Sequence, residues 1–275
     1  MKKFAYFISL KKLIIILFAL LLFSGCDNKK SGFTINSYPM AVGSEWVYNR
    51  ELTFNEFQTD NLKNVMNSDT LNHSVRVWIE KDTLINDKVS VKKFRSHEKK
   101  SEVYGTEFLF RDYEGIKCYA YYPGSGLMGF VKNQSQLKLP HAFPFGGLFS
   151  IPQFKTNGLV FEDPPTLNLK LPLLNDIIWT YRHSSEELSV QIDKRVVDAE
   201  SVKAPAGTFE CFKIKYEYSS HPSFENVEIY DWIAEEGLIK RKISADSIVF
   251  TNQAGDSVGF GTSVDTYSLK ALELE

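Results

Sequence analysis

Histidine and cysteine are sparse in this 275-residue chain, and positive charge is not in excess. The five histidines, His73, His97, His141, His183 and His221, stand apart from one another and from the cysteines. That scatter lacks zinc-ligand spacing and offers no two-histidine helical site, so neither a metal nor another cofactor is expected. Lysine and arginine total 32 against 34 acidic residues, a net charge of −2. Without a basic stripe, nucleic acid is not an expected partner.

Catalytic signatures are missing as well. No serine sits in a nucleophile elbow, and no cysteine lies in a recognisable protease signature. Glu186-Glu187 and Glu235-Glu236 are chain neighbours; on strands such neighbours point to opposite faces and make poor acid-base dyads. Gly124-Ser125-Gly126-Leu127-Met128-Gly129 has the spacing of a dinucleotide fingerprint. A proline-rich stretch follows where that motif needs the start of a helix. The chain is therefore expected not to be an enzyme, with an envelope hydrolase as the least favoured alternative.

What is present begins at the N-terminus. Lys2, Lys3, Lys11 and Lys12 precede an apolar run from Leu13 to Phe23, then Ser24, Gly25 and Cys26. A basic start, an apolar stretch and small residues before a cysteine form a bacterial lipoprotein signal. The run is shorter than the roughly 20 apolar residues of a membrane span. Cleavage between Gly25 and Cys26 would leave Cys26 as the lipidated N-terminus, and several acyl chains hold a protein stably at a bilayer. The expected location is the bacterial cell envelope; Asp27 leaves the choice of inner or outer membrane open. Loss of residues 1–25 removes four lysines, leaving 28 basic side chains against 34 acidic ones and a net charge of −6.

The remainder is 43% hydrophobic and 14% aromatic over the whole chain, ample for a core. Cys118 and Cys211 lie in apolar, strand-like runs and read as two buried thiols; a disulfide is the alternative in an exported chain.

Two stretches share one design. Pro39 is followed after six residues by Trp46 and then Tyr48, and Pro172 after six residues by Trp179 and then Tyr181. Alternation follows each, with Val75, Val77 and Ile79 in the first half and Leu188, Val190 and Ile192 in the second, as in half-buried strands. Strands are expected at 88–95 and 210–218, the second with Phe212, Ile214, Tyr216 and Tyr218 on one face. Gly115 and Gly237 mark matching turns. This reads as a tandem duplication: a signal peptide at 1–25, a polar tether at 26–36, a first β unit at 37–122, a connection at 123–170 and a second β unit at 171–275. Trp46 and Trp179 are expected to anchor cores.

Between the copies, Pro123 to Pro172 holds seven of the ten prolines together with Phe130, Phe143, Phe145, Phe149, Phe154 and Phe161. Proline and glycine at this density break regular structure, while six phenylalanines must be buried somewhere. The stretch is either a connection packed over the sheets or a lid on an apolar cavity, in which case Phe143, Phe145, Phe149 and Phe154 would touch the ligand.

Tyr38 to Tyr48, the run Ala204-Pro205-Ala206-Gly207-Thr208-Phe209-Glu210-Cys211 and the run from Asp231 to Lys240 resemble the TapB-like envelope lipoproteins, a family of unknown function. The resemblance implies a strongly curved antiparallel sheet of the half-barrel, lipoprotein-carrier kind and hands over no catalytic residue. Pro205 can preset a turn and Gly207 can take positive φ, so the motif is a hairpin signature.

Thr70, Thr83, Ser247 and Ser257 each follow an aspartate and precede an aliphatic residue, a pattern that resembles a bacterial O-glycosylation acceptor; ordinary turn residues are the other reading. The expected fold is mainly β, in two curved antiparallel units. The leading functional expectation is a non-catalytic, lipid-anchored module that binds an envelope protein or supports an assembly. A carrier or sensor of an apolar ligand such as a lipid is the alternative.

Overall fold

Buried and exposed side chains alternate along the strands of the computed structural model, which describes residues 33–59, 71–86, 88–98, 104–122, 137–138, 159–184, 191–219, 226–252 and 256–275. The first half supplies β1 (Glu45–Asn55), β2 (Leu71–Ile85), β3 (Val89–Glu98), β4 (Gly105–Arg111) and β5 (Gly115–Tyr122). The two-residue β6 (Leu137–Lys138) and β7 (Val160–Lys170) fall within the stretch read as the connection. The second half supplies β8 (Ile178–Arg182), β9 (Ile192–Ala204), β10 (Gly207–Tyr218), β11 (Val227–Ala234), β12 (Gly237–Asn252) and β13 (Ser257–Glu273). All lie in the unit Thr34–Glu275, and no helix occurs among the described residues.

The strands form one antiparallel sheet in the order β7-β5-β4-β3-β2-β1-β13-β12-β11-β10-β9-β8, with β6 beside the end of β12. Each half is thus a meander of six neighbouring strands, and the halves share the β1–β13 ladder. Bulges between Val47 and Tyr48, Ile79 and Lys81, and Lys213 and Ile214 add local twist. The sheet curls until its two outermost strands meet through side chains. Trp179 Nε1 on β8 donates to the Leu167 carbonyl on β7 at 3.0 Å, and Arg182 on β8 pairs with Glu162 on β7. The result is a nearly closed barrel, and the mainly β, curved antiparallel expectation holds.

Curling buries the concave face. From β1 it receives Trp46, Tyr48, Leu52 and Phe54, and from β10 Phe212, Ile214 and Tyr216. Trp46 stacks on Phe94 with ring centroids 6.4 Å apart, and Tyr181 meets Tyr216 edge-on at 6.2 Å. Each large apolar side chain so buried contributes about 1.5–3 kcal/mol. Trp46 and Trp179 are both core residues, as expected. Cys118 and Cys211 are buried free thiols.

Candidate functional site

Charged residues stand on the buried face of several strands, in phase with apolar neighbours. One ladder row runs His73, Arg50, Tyr267, Arg241, Asp231, Ile214 and Val196 across β2, β1, β13, β12, β11, β10 and β9. Buried charges must be paired, because each loses its hydration. Arg50 donates through Nε and Nη2 to Asp265 at 3.0 and 2.6 Å, and through Nη1 to Glu98 at 3.1 Å. Arg241 meets Asp231 in the same forked way, at 2.6 and 2.7 Å, and Tyr216 donates its hydroxyl to that carboxylate at 2.8 Å. Tyr267 does the same to Asp265 at 3.2 Å. Burial alone pulls the Arg50 guanidinium down, but Tyr267, Asp265 and Glu98 outweigh it and hold Arg50 above its ordinary value. These arginines stay charged and committed to their partners.

Lys194 is the exception. Only 1% exposed, its ammonium lies 4.3 Å from the Tyr181 ring centroid and 4.4 Å from that of Tyr216, and donates to the Asn168 carbonyl on β7 at 2.7 Å. Burial is the largest influence and lowers its pKa to about 7; Asp231 opposes this and Arg241 reinforces it. Lys194, Trp179 and Arg182 therefore link β8 and β9 to β7 by side chains. They hold the closure of the barrel.

The outward face of the same region carries a groove of about 550 Å³ lined by Asn49, Glu51, Asn72, Ser74, Thr266, Ser268 and Pro205, with Arg50 and His73 also bordering it. Register explains the lining. Ser268, Asn49 and Ser74 form one cross-strand row, and Thr266, Glu51 and Asn72 the next on the same face. The inward row of Tyr267, Arg50 and His73 runs between them. Pro205 reaches the groove because the β9–β10 hairpin folds back, its Ala206 amide donating to the Leu269 carbonyl of β13 at 3.1 Å. The turn itself is Pro205-Ala206, with Gly207 at φ +148°, as its sequence signature requires.

Of the residues singled out from sequence, Gly25, Cys26, Thr70, Phe143, Phe145, Phe149 and Phe154 lie outside the described residues. Thr83 is half-buried on β2, while Ser247 and Ser257 are exposed. His73 Nδ1 lies 3.3 Å from Glu98 Oε1, and His97 stacks on Tyr104 at 4.6 Å. His183 is exposed at the end of β8, and His141 and His221 are outside the described residues. Among the described residues, no three His, Cys, Asp or Glu side chains come together as metal ligands. The buried Arg50, Lys194, Asp231, Arg241 and Asp265 were not singled out from sequence. Their signal was available: Arg241 sits in phase with Ile239 and Ile243, Asp231 with Ile229 and Ile233, and Lys194 with Ile192 and Val196.

A family model described as DUF3108-like matches residues 169–244. The matched stretch runs from the end of β7 into β12 and contains the Pro205 hairpin, Lys194, Asp231 and Arg241. No curated protein matches the chain. Two solved structures are similar in part. One is a putative lipoprotein from Parabacteroides distasonis ATCC 8503, 12% identical, covering 86% of this chain and 97% of that one, with a TM-score of 0.30. The other is a putative exported protein with YmcC-like fold from Bacteroides fragilis NCTC 9343, 13% identical, covering 87% and 99%, with a TM-score of 0.33.

Proposed function

We propose that the protein is a non-catalytic binding module of the bacterial cell envelope, anchored by lipid at Cys26, with its recognition surface on the outer face of β13, β1 and β2. The order of residues 1–26 supports the anchor, and the motifs at Tyr38–Tyr48, Ala204–Cys211 and Asp231–Lys240 support kinship with the TapB-like lipoproteins. One observation carries the choice of surface. The concave face of the described barrel is filled by Trp46, Tyr48, Tyr121, Tyr181, Tyr216 and Tyr267 and by charges already paired with one another. Such packing weighs against an apolar ligand inside the described barrel, whereas the outer groove is open and falls within the roughly 300–1,000 Å³ of small-molecule sites.

A photo-cross-linking residue placed at Thr266 of the full-length chain in intact cells should trap a defined envelope component. The same residue at Leu84, exposed and remote in register from the groove, should not. Equal labelling at both positions, or none at Thr266, would sink the reading. The anchor is tested separately: Cys26→Ser should carry no acyl mass and should leave the membrane fraction.

A further inference from the structure

From the groove's chemistry we infer that its ligand is a neutral, hydroxyl-rich glycan; this rests on the outer groove being the recognition surface. The floor is two parallel rows of three polar side chains, Ser268-Asn49-Ser74 and Thr266-Glu51-Asn72. Strand geometry spaces such groups by about 4.8 Å across the sheet and about 6.7 Å along it. Among the described residues none of the six is committed to a hydrogen bond or ion pair. They present amide and hydroxyl donors, amide and hydroxyl acceptors, and one carboxylate.

Competing ligands fail on specific grounds. A lipid chain needs a run of apolar side chains, and Pro205 is the single apolar residue in the lining. A phosphate or other anion needs a free cation. The lining's two candidates are Arg50, which is 2% exposed and forked onto Asp265, and His73, whose Nδ1 lies 3.3 Å from Glu98 Oε1. A peptide that adds as a strand would need an unpaired edge, yet β13, β1 and β2 are each paired on both sides, and a helical or polyproline peptide would need an apolar or aromatic groove that this lining does not form. A divalent metal needs several oxygen ligands with charge, and Glu51 is the single acid in the lining. What remains is a molecule recognised by many directional, mostly uncharged hydrogen bonds. A saccharide meets that description, with Glu51 accepting from adjacent hydroxyls and Asn49 and Asn72 each able to donate and accept. Pro205 adds an apolar wall against which the C–H face of a sugar ring can rest.

The test is calorimetric titration of the full-length chain, purified in a detergent without a sugar headgroup, with maltohexaose, cellohexaose, mannohexaose and chitohexaose. Hexagalacturonate and phosphatidylglycerol vesicles serve as charged and lipid probes. At least one neutral hexaose should bind, and Asn49→Ala and Glu51→Ala should each weaken it at least tenfold, with far-ultraviolet circular dichroism unchanged. Glu51→Gln, which keeps an acceptor, should weaken it less than Glu51→Ala. No binding of any neutral hexaose, binding that the groove variants leave intact, or preference for hexagalacturonate or vesicles would overturn the assignment. The wider reading is judged apart from it: a protein trapped at Thr266 in cells with no sugar bound removes the glycan alone, and nothing trapped there removes both.

Discussion

Trp46 and Gly237 meet across β13, the strand between them: a Cβ placed on Gly237 would lie 2.8 Å from the Trp46 indole nitrogen. That nitrogen donates to the neighbouring Glu236 carbonyl at 2.8 Å, and Gly237 itself has φ +119°. The opening motif of the first half is thereby tied to the turn that starts β12.

Gly237→Ala should lower stability to urea by more than the about 1–3 kcal/mol of backbone strain alone. Gly207→Ala supplies the comparison, since its φ is +148° but its nearest neighbour is Phe209 at 3.6 Å. Equal losses in the two variants would show that the Trp46 contact costs nothing.

Lys194 makes stability depend on pH. Its folded value is about 7 against an ordinary 10.5, so above pH 7 the unfolded chain holds a proton that the folded chain has released. Stability therefore rises with pH from about 7 toward 9. Near and above 9.0 the ordinary thiol value is reached, and burial has pushed the Cys211 thiol up to about 12, an effect of opposite sign. Lys194→Met should flatten the rise between pH 7 and 9 in denaturant titrations. A variant with the wild-type slope would contradict the assignment.

Arg50→Met leaves Asp265 and Glu98 buried without their cation, and it should cost about 3–5 kcal/mol. Adding Asp265→Asn should cost less than the two single losses together, because one stranded charge is gone. Strict additivity in this double-variant cycle would mean that the pair is not coupled.

Trp179→Phe removes the hydrogen bond from β8 to the Leu167 carbonyl while keeping an aromatic ring. The expected loss is about 1 kcal/mol. Amides of β7 and β8 should then exchange with deuterium faster, while those of the β1–β13 ladder keep their wild-type rates. Uniform acceleration throughout the barrel would show that the closure does not open locally.

Much of the architecture was legible in short-range pattern. The alternation at 75–79 and 210–218, the glycines at 115 and 237 and the Pro205 hairpin all stand where strands and turns do. Those signals are local, set by side-chain phase and by φ. Arg50 and Asp265 are 215 residues apart, so neither announces the other; only their position on the buried phase of a strand marked them. The groove was not legible at all. Its rows come from three strands brought side by side and from a hairpin that folds onto them.

From sequence alone came the strand-rich class and the places of its turns, because alternation and turn chemistry are properties of contiguous residues; the order of residues 1–26 is likewise local, and it carries the proposed anchor at Cys26. Tertiary structure decided that the halves share the β1–β13 ladder, that the barrel is closed by Trp179, Arg182 and Lys194, and which polar side chains face outward together. Those outcomes depend on pairing between distant strands, and a one-residue change of register would turn Asn49 and Glu51 inward and Arg50 outward.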